Sequence, residues 1–171
     1  MKISKVLLFT FILISISSEK TYSAEKDKTF DGKGGRDDFS YLNAKNSNFK
    51  KGKDAIKQAL KYKKKEKFKK ANIKFEKALK YFVEANIETP NNIEVLKFLA
   101  FTYNEVGDQI MAEIYYNEGL TIDPKNYSIN QELGTLYFKT NRIDLANERL
   151  NILRSCNCQE YLDLKSIIKS N

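Results

Sequence analysis

The sequence predicts an all-α fold in which three helix–turn–helix units stack side by side. One spacing recurs three times: a small residue, an aromatic residue three positions later, alanine nine positions after that, and a bulky residue four positions further on. Apolar residues also recur every three or four positions on both sides of each expected turn, as in helices with one buried face. Turn-forming pairs such as Gly107-Asp108 and Asp123-Pro124 interrupt the pattern, which excludes one continuous coiled coil. The three copies are Ala59, Tyr62, Ala71 and Phe75; Ala100, Tyr103, Ala112 and Tyr116; and Gly134, Tyr137, Ala146 and Leu150.

The second and third copies begin at Ala100 and Gly134, and the 34 residues between their starts equal the period of the tetratricopeptide repeat (TPR). Over about Phe49 to Ile168 the quoted residues resemble the TPR family, and the stretch is similar to small exported TPR proteins of Gram-negative bacteria. The resemblance implies three TPR helix–turn–helix repeats in a right-handed solenoid with a C-terminal capping helix. It also implies a non-enzymatic interaction module or scaffold.

The repeated spacing assigns residues 49–171 to this TPR domain. The repeats are expected at about 52–92, 93–126 and 127–156, and the capping helix at about 158–169.

The first copy is longer than the others, because 41 residues separate Ala59 from Ala100, seven more than the period. Seven residues are about two helical turns and keep the apolar positions on nearly the same face. The second helix of the first repeat is therefore predicted to extend to about Ile87. The capping helix is predicted to start with Asn157 as its N-cap and Glu160 reaching back to it.

Residues 1–24 have the features of a cleavable secretory signal peptide. Lys2 and Lys5 charge the start, residues 6–16 form an apolar run without a charge, and small or polar residues follow. We therefore expect an exported protein, periplasmic or secreted, with an uncleaved anchor as the alternative. Residues 25–48 are polar, contain three glycines and show no sustained period, so we expect a disordered leader.

The chain carries a net charge of +8, and the positive charge is concentrated in one segment. Between residues 50 and 80 there are 14 lysines against Asp54, Glu66 and Glu76. Such a cluster favours acidic partners, including an anionic membrane surface, and its effect weakens with salt. The alternative is an ordinary solvated helix surface. Because we expect export and the chain has no tryptophan, we expect no nucleic-acid partner.

The chain has no histidine, which excludes Ser-His-Asp and Cys-His catalytic systems and zinc sites that use histidine. Glycine-rich phosphate-binding motifs are also missing from the sequence. We therefore expect no catalytic residues, no cofactor and no metal site. The only cysteines, Cys156 and Cys158, leave three alternatives open: a small disulfide ring, a redox or soft-metal thiol pair, and structural packing or a linking bridge.

In the TPR family the first helix of each repeat lines the concave side, so the resemblance implies a partner-binding groove there. Phe98, Phe101 and Phe138 are expected to be exposed apolar anchors in this groove. The alternative is that they belong to the core, covered by the apolar cluster of the leader. The predicted groove residues are Lys53, Lys57, Lys97, Phe98, Phe101, Asn104, Gln131, Thr135 and Phe138.

One TPR subclass clamps a C-terminal carboxylate with lysine, arginine and asparagine. None of the corresponding residues of this chain matches, so that activity is not implied. These residues are Ile56, Leu60, Phe98, Ser128 and Glu132.

The sequence thus favours a module that captures a peptide or a partner helix in its concave groove. Electrostatic binding to the anionic envelope surface through the lysine-rich first repeat is one alternative. Thiol redox or metal binding by the cysteine pair is the other.

Overall fold

The computed structural model describes residues 37–170, with side chains from residue 47 onward. The predicted signal peptide and the leader up to residue 36 lie outside the described residues.

Seven α-helices and no strand form the described part of the chain. Six helices pair into three hairpins, and the seventh packs on both helices of the last hairpin. No helix among these is long and apolar enough to cross a membrane. The helices are α1 (Asp37–Lys63), α2 (Phe68–Glu88), α3 (Ile93–Val106), α4 (Gln109–Ile122), α5 (Tyr127–Lys139), α6 (Ile143–Leu153) and α7 (Gln159–Lys169).

The hairpins form a curved stack. The backbone of α1 approaches that of α3, and α3 approaches α5, whereas α2, α4 and α6 do not approach one another within residues 37–170. Helices on the inner side of a curved stack are the ones that come together. The first helices of the three hairpins, α1, α3 and α5, therefore line the concave side.

Small residues of the repeated spacing lie where the two helices of each hairpin meet. Ala59, Ala100, Ala112 and Ala146 are completely buried, and Gly134 is buried beside them. Because these side chains are small, the helices can approach closely, and larger side chains fill the space between neighbouring hairpins. These larger residues include Phe75, Phe82 and Leu99 between the first two hairpins, and Tyr116, Leu133 and Leu136 between the last two.

Polar caps and left-handed residues fix the turns. The side chains of Asn92, Asp108 and Asn126 accept hydrogen bonds from backbone N–H groups in the first turns of α3, α4 and α5. Such caps satisfy donors that the helix itself leaves unpaired. Helix α3 ends at Gly107 with φ of +95°, and the corresponding turn of the third hairpin uses Asn141 with φ of +60°.

The first hairpin is longer than the other two. Helix α2 reaches Glu88, which confirms the predicted extension to about Ile87. Helix α1 begins at Asp37, so residues 37–48 of the predicted disordered leader are helical, and the expected start at Phe49 is wrong. The Asn48 side-chain amide donates a 2.7 Å hydrogen bond to Glu88 Oε1, which joins the two extended segments.

The start of the capping helix also differs from the prediction. Asn157 has φ of +48° and is not the N-cap; Cys158 occupies that position without a side-chain cap bond. Asn157 is thus a turn residue in a conformation that asparagine tolerates better than most residues.

Candidate functional site

The nine predicted groove residues lie on the three helices of the concave side. Lys53 and Lys57 of α1 are exposed, and the seven residues of α3 and α5 are half-buried. On α3, Lys97, Phe101 and Asn104 follow one another at helical spacing, opposite the fully buried Leu96 and Leu99. The concave side is therefore an open, mixed surface of charged, amide and aromatic groups.

Phe98 packs between the first two hairpins. Its ring stacks on that of Phe82, with centroids 5.5 Å apart and an interplanar angle of 14°, and Phe49 meets it edge-on at 5.5 Å. Phe82 is completely buried. The expectation that Phe98 is an exposed anchor is therefore wrong, because aromatic partners from α1 and α2 cover much of its ring.

The other two aromatic residues are also half-buried. Phe101 meets the buried Phe75 edge-on at 6.3 Å, and Phe138 packs against the core between the second and third hairpins. Both were expected to be exposed, and both instead contribute part of their surface to the core. Both side chains are half-buried, so part of each remains accessible.

Two lysines from different helices converge on Phe98. Lys53 Nζ lies 6.0 Å and Lys97 Nζ 5.4 Å from the centroid of its ring, and Lys53 Nζ also lies 5.0 Å from the centroid of Phe49. Contacts of this kind are attractive because the ring face carries partial negative charge. Lys97 forms an ion pair of 2.9 Å with Glu94, whereas Lys53 forms none in the described part of the chain.

Glu132, a half-buried carboxylate on α5, was not recognised as a functional residue from the sequence. Tyr116 Oη of α4 donates a 2.6 Å hydrogen bond to Glu132 Oε2. Burial raises the pKa of Glu132, while the Tyr116 hydrogen bond and the nearby Lys97 lower it and Glu94 raises it. One signal could have indicated the pair: a tyrosine at a core position needs a partner for its hydroxyl.

The other polar residues of the predicted groove differ in whether their side chains already form hydrogen bonds. Gln131 and Thr135 are one turn apart on α5; Thr135 Oγ1 donates to the Gln131 carbonyl at 2.9 Å and accepts a longer bond from Gln131 Nε2. Lys57 and Asn104 make no side-chain hydrogen bond to any residue from 47 to 170. Their polar atoms are thus available to a ligand.

The cysteine pair lies far along the chain, between α6 and α7. Cys156 and Cys158 are joined in a disulfide with Cα atoms 5.1 Å apart. Within the described residues no group of three or more Cys, Asp or Glu side chains lies close enough together to hold a metal ion.

Comparison of the sequence with protein families and with curated proteins gives no match. Solved structures do match. The first TPR domain of Spaghetti (RPAP3), bound to an HSP90 peptide, has a TM-score of 0.51 and 17% identity, covering 71% of this chain and 93% of that domain. The Sgt2 TPR domain from Aspergillus fumigatus has a TM-score of 0.51 and 15% identity, covering 70% and 78%.

A bacterial structure matches equally well. The type III secretion chaperone SycD of Yersinia enterocolitica, in complex with a peptide of the translocator YopD, has a TM-score of 0.51 and 16% identity, covering 69% of this chain and 86% of SycD. The chain has the TPR fold. The hairpins α1–α2, α3–α4 and α5–α6 are accordingly TPR1, TPR2 and TPR3, and α7 is the capping helix.

Proposed function

We propose that this protein is a non-enzymatic interaction module that binds a segment of a partner protein in its concave groove. The groove is the surface of α1, α3 and α5 described above. Two of the similar structures, the TPR domain of RPAP3 and the chaperone SycD, contain bound peptides, and this supports the proposal. The groove residues of this chain determine which protein or peptide it binds.

The observation that carries the proposal is the convergence of Lys53 and Lys97 on Phe98. Two cations from TPR1 and TPR2 share one half-buried ring, and Lys57 follows Lys53 one turn later on α1. An acidic side chain of a ligand would gain charge-assisted hydrogen bonds there. An apolar neighbour in the ligand would cover the accessible parts of the half-buried Phe98 and Phe101.

The TPR3 end of the groove has different chemistry. Gln131 and Thr135 offer neutral hydrogen-bonding groups, and Glu132 offers a carboxylate that a cationic or amide donor of the ligand would approach. A segment with an acidic part over TPR1 and a neutral or basic part over TPR3 therefore fits best. This asymmetry gives the ligand a direction along the groove.

We propose in addition that the protein is exported, periplasmic or secreted, because residues 1–24 carry a charged start and an apolar run of signal-peptide type. N-terminal sequencing of the protein recovered from its native cells tests this. A mature start near residue 24 supports export, and an intact Met1 in the cytoplasmic fraction contradicts it.

The groove is tested by selecting peptides of about 12 residues from a random phage-displayed library on the chain without its first 24 residues. The double variant Lys53→Glu/Lys57→Glu should lose the selected peptides. The matched control, Lys125→Glu/Lys169→Glu, makes the same change of charge at exposed positions outside the groove and should keep them. Peptides that bind the double variant and the control alike would contradict the proposed site.

A further inference from the structure

A second surface of TPR1 has a chemistry that differs from the groove. Two adjoining cavities, of about 180 and 310 Å³, lie between α1 and α2 and share Gln58. We call their lining the basic furrow. It consists of Lys51, Asp54, Ala55, Gln58, Lys61, Tyr62, Lys65, Lys67, Lys74, Lys77 and Tyr81.

The basic furrow uses a face of α2 that differs from the one packed against TPR2. On α2, Lys74 directly precedes Phe75, and Tyr81 directly precedes Phe82; both phenylalanines pack against α3. Because successive residues of a helix are rotated by about 100°, the two furrow residues point to a different side of α2 from the phenylalanines. Among the described residues, the furrow therefore lies on a different face of TPR1 from the Phe75 and Phe82 contacts with α3. From Lys51 to Lys61 it runs for about 15 Å along α1.

The charge of the basic furrow is one-sided. Six lysines line it, against Asp54 as the single carboxylate. None of the six forms an ion pair within 4.0 Å anywhere in residues 47–170. Cations that lack partners on both walls of a groove attract an anionic ligand, and the attraction falls as salt rises.

Aromatic and hydrogen-bonding groups lie among these cations. Lys51 Nζ and Lys77 Nζ lie 5.9 and 5.8 Å from the centroid of the Tyr81 ring. Asp54 and Gln58 line the same cavity as Tyr81, and Tyr62 lines the next. A flat ring beside two ammonium groups suits a sugar ring that carries an acidic group, and a carboxylate and an amide suit its hydroxyls.

We propose that the basic furrow binds a linear acidic polysaccharide. A planar lipid bilayer fits less well, because its headgroup charge would engage the exposed lysines without using the Tyr81 ring, Asp54 and Gln58 that line the same cavity. A nucleic acid fits less well, because the lining has no arginine to hold phosphate by two hydrogen bonds. The site is separate from the concave groove, so either proposal can fail without the other.

The experiment measures binding of a polygalacturonate oligosaccharide of about ten units by calorimetry, at about 50 and about 200 mM salt. The furrow variant Lys51→Gln/Lys74→Gln/Lys77→Gln should lose about tenfold in affinity or more at low salt. Its matched control, Lys53→Gln/Lys57→Gln/Lys64→Gln, removes the same charge from the rest of TPR1 and should lose less than about threefold. Circular dichroism verifies that both variants are folded.

A charge-neutral variant and three other probes complete the test. Tyr81→Leu should weaken binding of the oligosaccharide although the net charge is unchanged, and neutral dextran should not bind. Equal losses in the furrow variant and its control would overturn the proposal, since the effect would then be one of diffuse charge. Tighter binding of a single-stranded oligonucleotide of equal charge, or of phosphatidylglycerol vesicles, would overturn the proposal in favour of that ligand. Failure of the oligosaccharide to bind at either salt concentration would also overturn it.

Discussion

Leu164 of the capping helix occupies the space that a side chain at Gly134 would need. A Cβ atom built at position 134 would lie 2.6 Å from Leu164 Cδ2 and 3.1 Å from Arg149 Cβ. Leu164 is completely buried. The small residue that opens the third copy of the repeated spacing therefore serves to seat α7 on TPR3 as well as to pair α5 with α6.

Gly134→Ala should destabilise the protein. Alanine favours a helix over glycine by about 1 kcal/mol, but overpacking costs about 1–3 kcal/mol, so we expect a net loss of about 1 kcal/mol in urea unfolding. In a Leu164→Ala background only Arg149 Cβ, at 3.1 Å, remains close to the new Cβ atom, so Gly134→Ala should cost less there than in the wild type. The same loss in both backgrounds would show that Leu164 is not what restricts position 134.

Backbone conformation, and not lack of space, should limit which residues can replace Gly107. It has φ of +95°, and no atom lies within 4 Å of a Cβ built there. Gly107→Ala should cost about 1–2 kcal/mol, whereas Gly107→Asn should cost less, since Asn141 adopts φ of +60° in the equivalent turn. Denaturant titrations of both variants verify this; equal costs would point to a cause other than backbone strain.

Glu132 should make the stability of the protein depend on pH. Burial raises the pKa of its carboxyl above the ordinary value of 4.5, so the folded state holds this proton more tightly than the unfolded state. Stability is then lost as pH rises from about 4.5 through the folded-state pKa. Glu132→Gln removes this loss and still accepts the hydrogen bond from Tyr116, so it should become more stable than the wild type as pH rises.

The measurement is the difference in unfolding free energy between wild type and Glu132→Gln at pH 4 and pH 7, compared with the exposed Glu84→Gln as the control. Lys97→Met should extend the loss to higher pH, because Lys97 lowers the pKa of Glu132. A difference that does not change with pH would contradict this account of Glu132.

Phe98→Ala should lower stability by about 2–4 kcal/mol, because the ring stacks on the buried Phe82 and contacts Phe49. Phe101→Ala should also destabilise, through its contact with Phe75. Thermal melts measure both losses. Unchanged melting temperatures would show that the Phe98 and Phe101 rings do not stabilise the core and are exposed anchors, as expected from the sequence.

Reduction of the Cys156–Cys158 disulfide should have a small effect. The bond closes a ring of only a few residues, and the loop-entropy relation gives about 1–2 kcal/mol for such a ring. Thiol titration should find no free cysteine before reduction and both cysteines after it. Urea unfolding with and without reductant measures the cost; loss of all helical signal on reduction would contradict it.

The helix pairs could be predicted from the sequence because the information is local. Apolar periodicity, small residues at fixed spacing and turn-forming pairs lie within each repeat, and the seven-residue insert keeps the helical face of α2. The start of α1 at Asp37 could not be predicted in this way, because residues 37–48 have no apolar period. The Asn48–Glu88 hydrogen bond shows that the extended end of α2 lies beside this part of α1.

The candidate site was predicted only in part, for a different reason. The resemblance to the TPR family predicts which helix faces line the concave side. How far each groove residue is buried depends, however, on residues that are distant in the chain. Phe49 and Phe82 reach Phe98 from two other helices, and Tyr116 reaches Glu132 from α4. Such contacts need the packing of three helices, which spacing within one helix does not reveal.

Site-specific photo-crosslinking in the native cells can show whether the concave groove is the surface that meets the partner protein. A benzoylphenylalanine residue is placed at Lys57 or Gln131 in the groove, and at Lys69 or Thr121 on the exposed outer sides of α2 and α4. Both groove positions should give an adduct with one and the same protein, and the outer positions should give none. Adducts from Lys69 and Thr121, with none from the groove, would contradict this prediction.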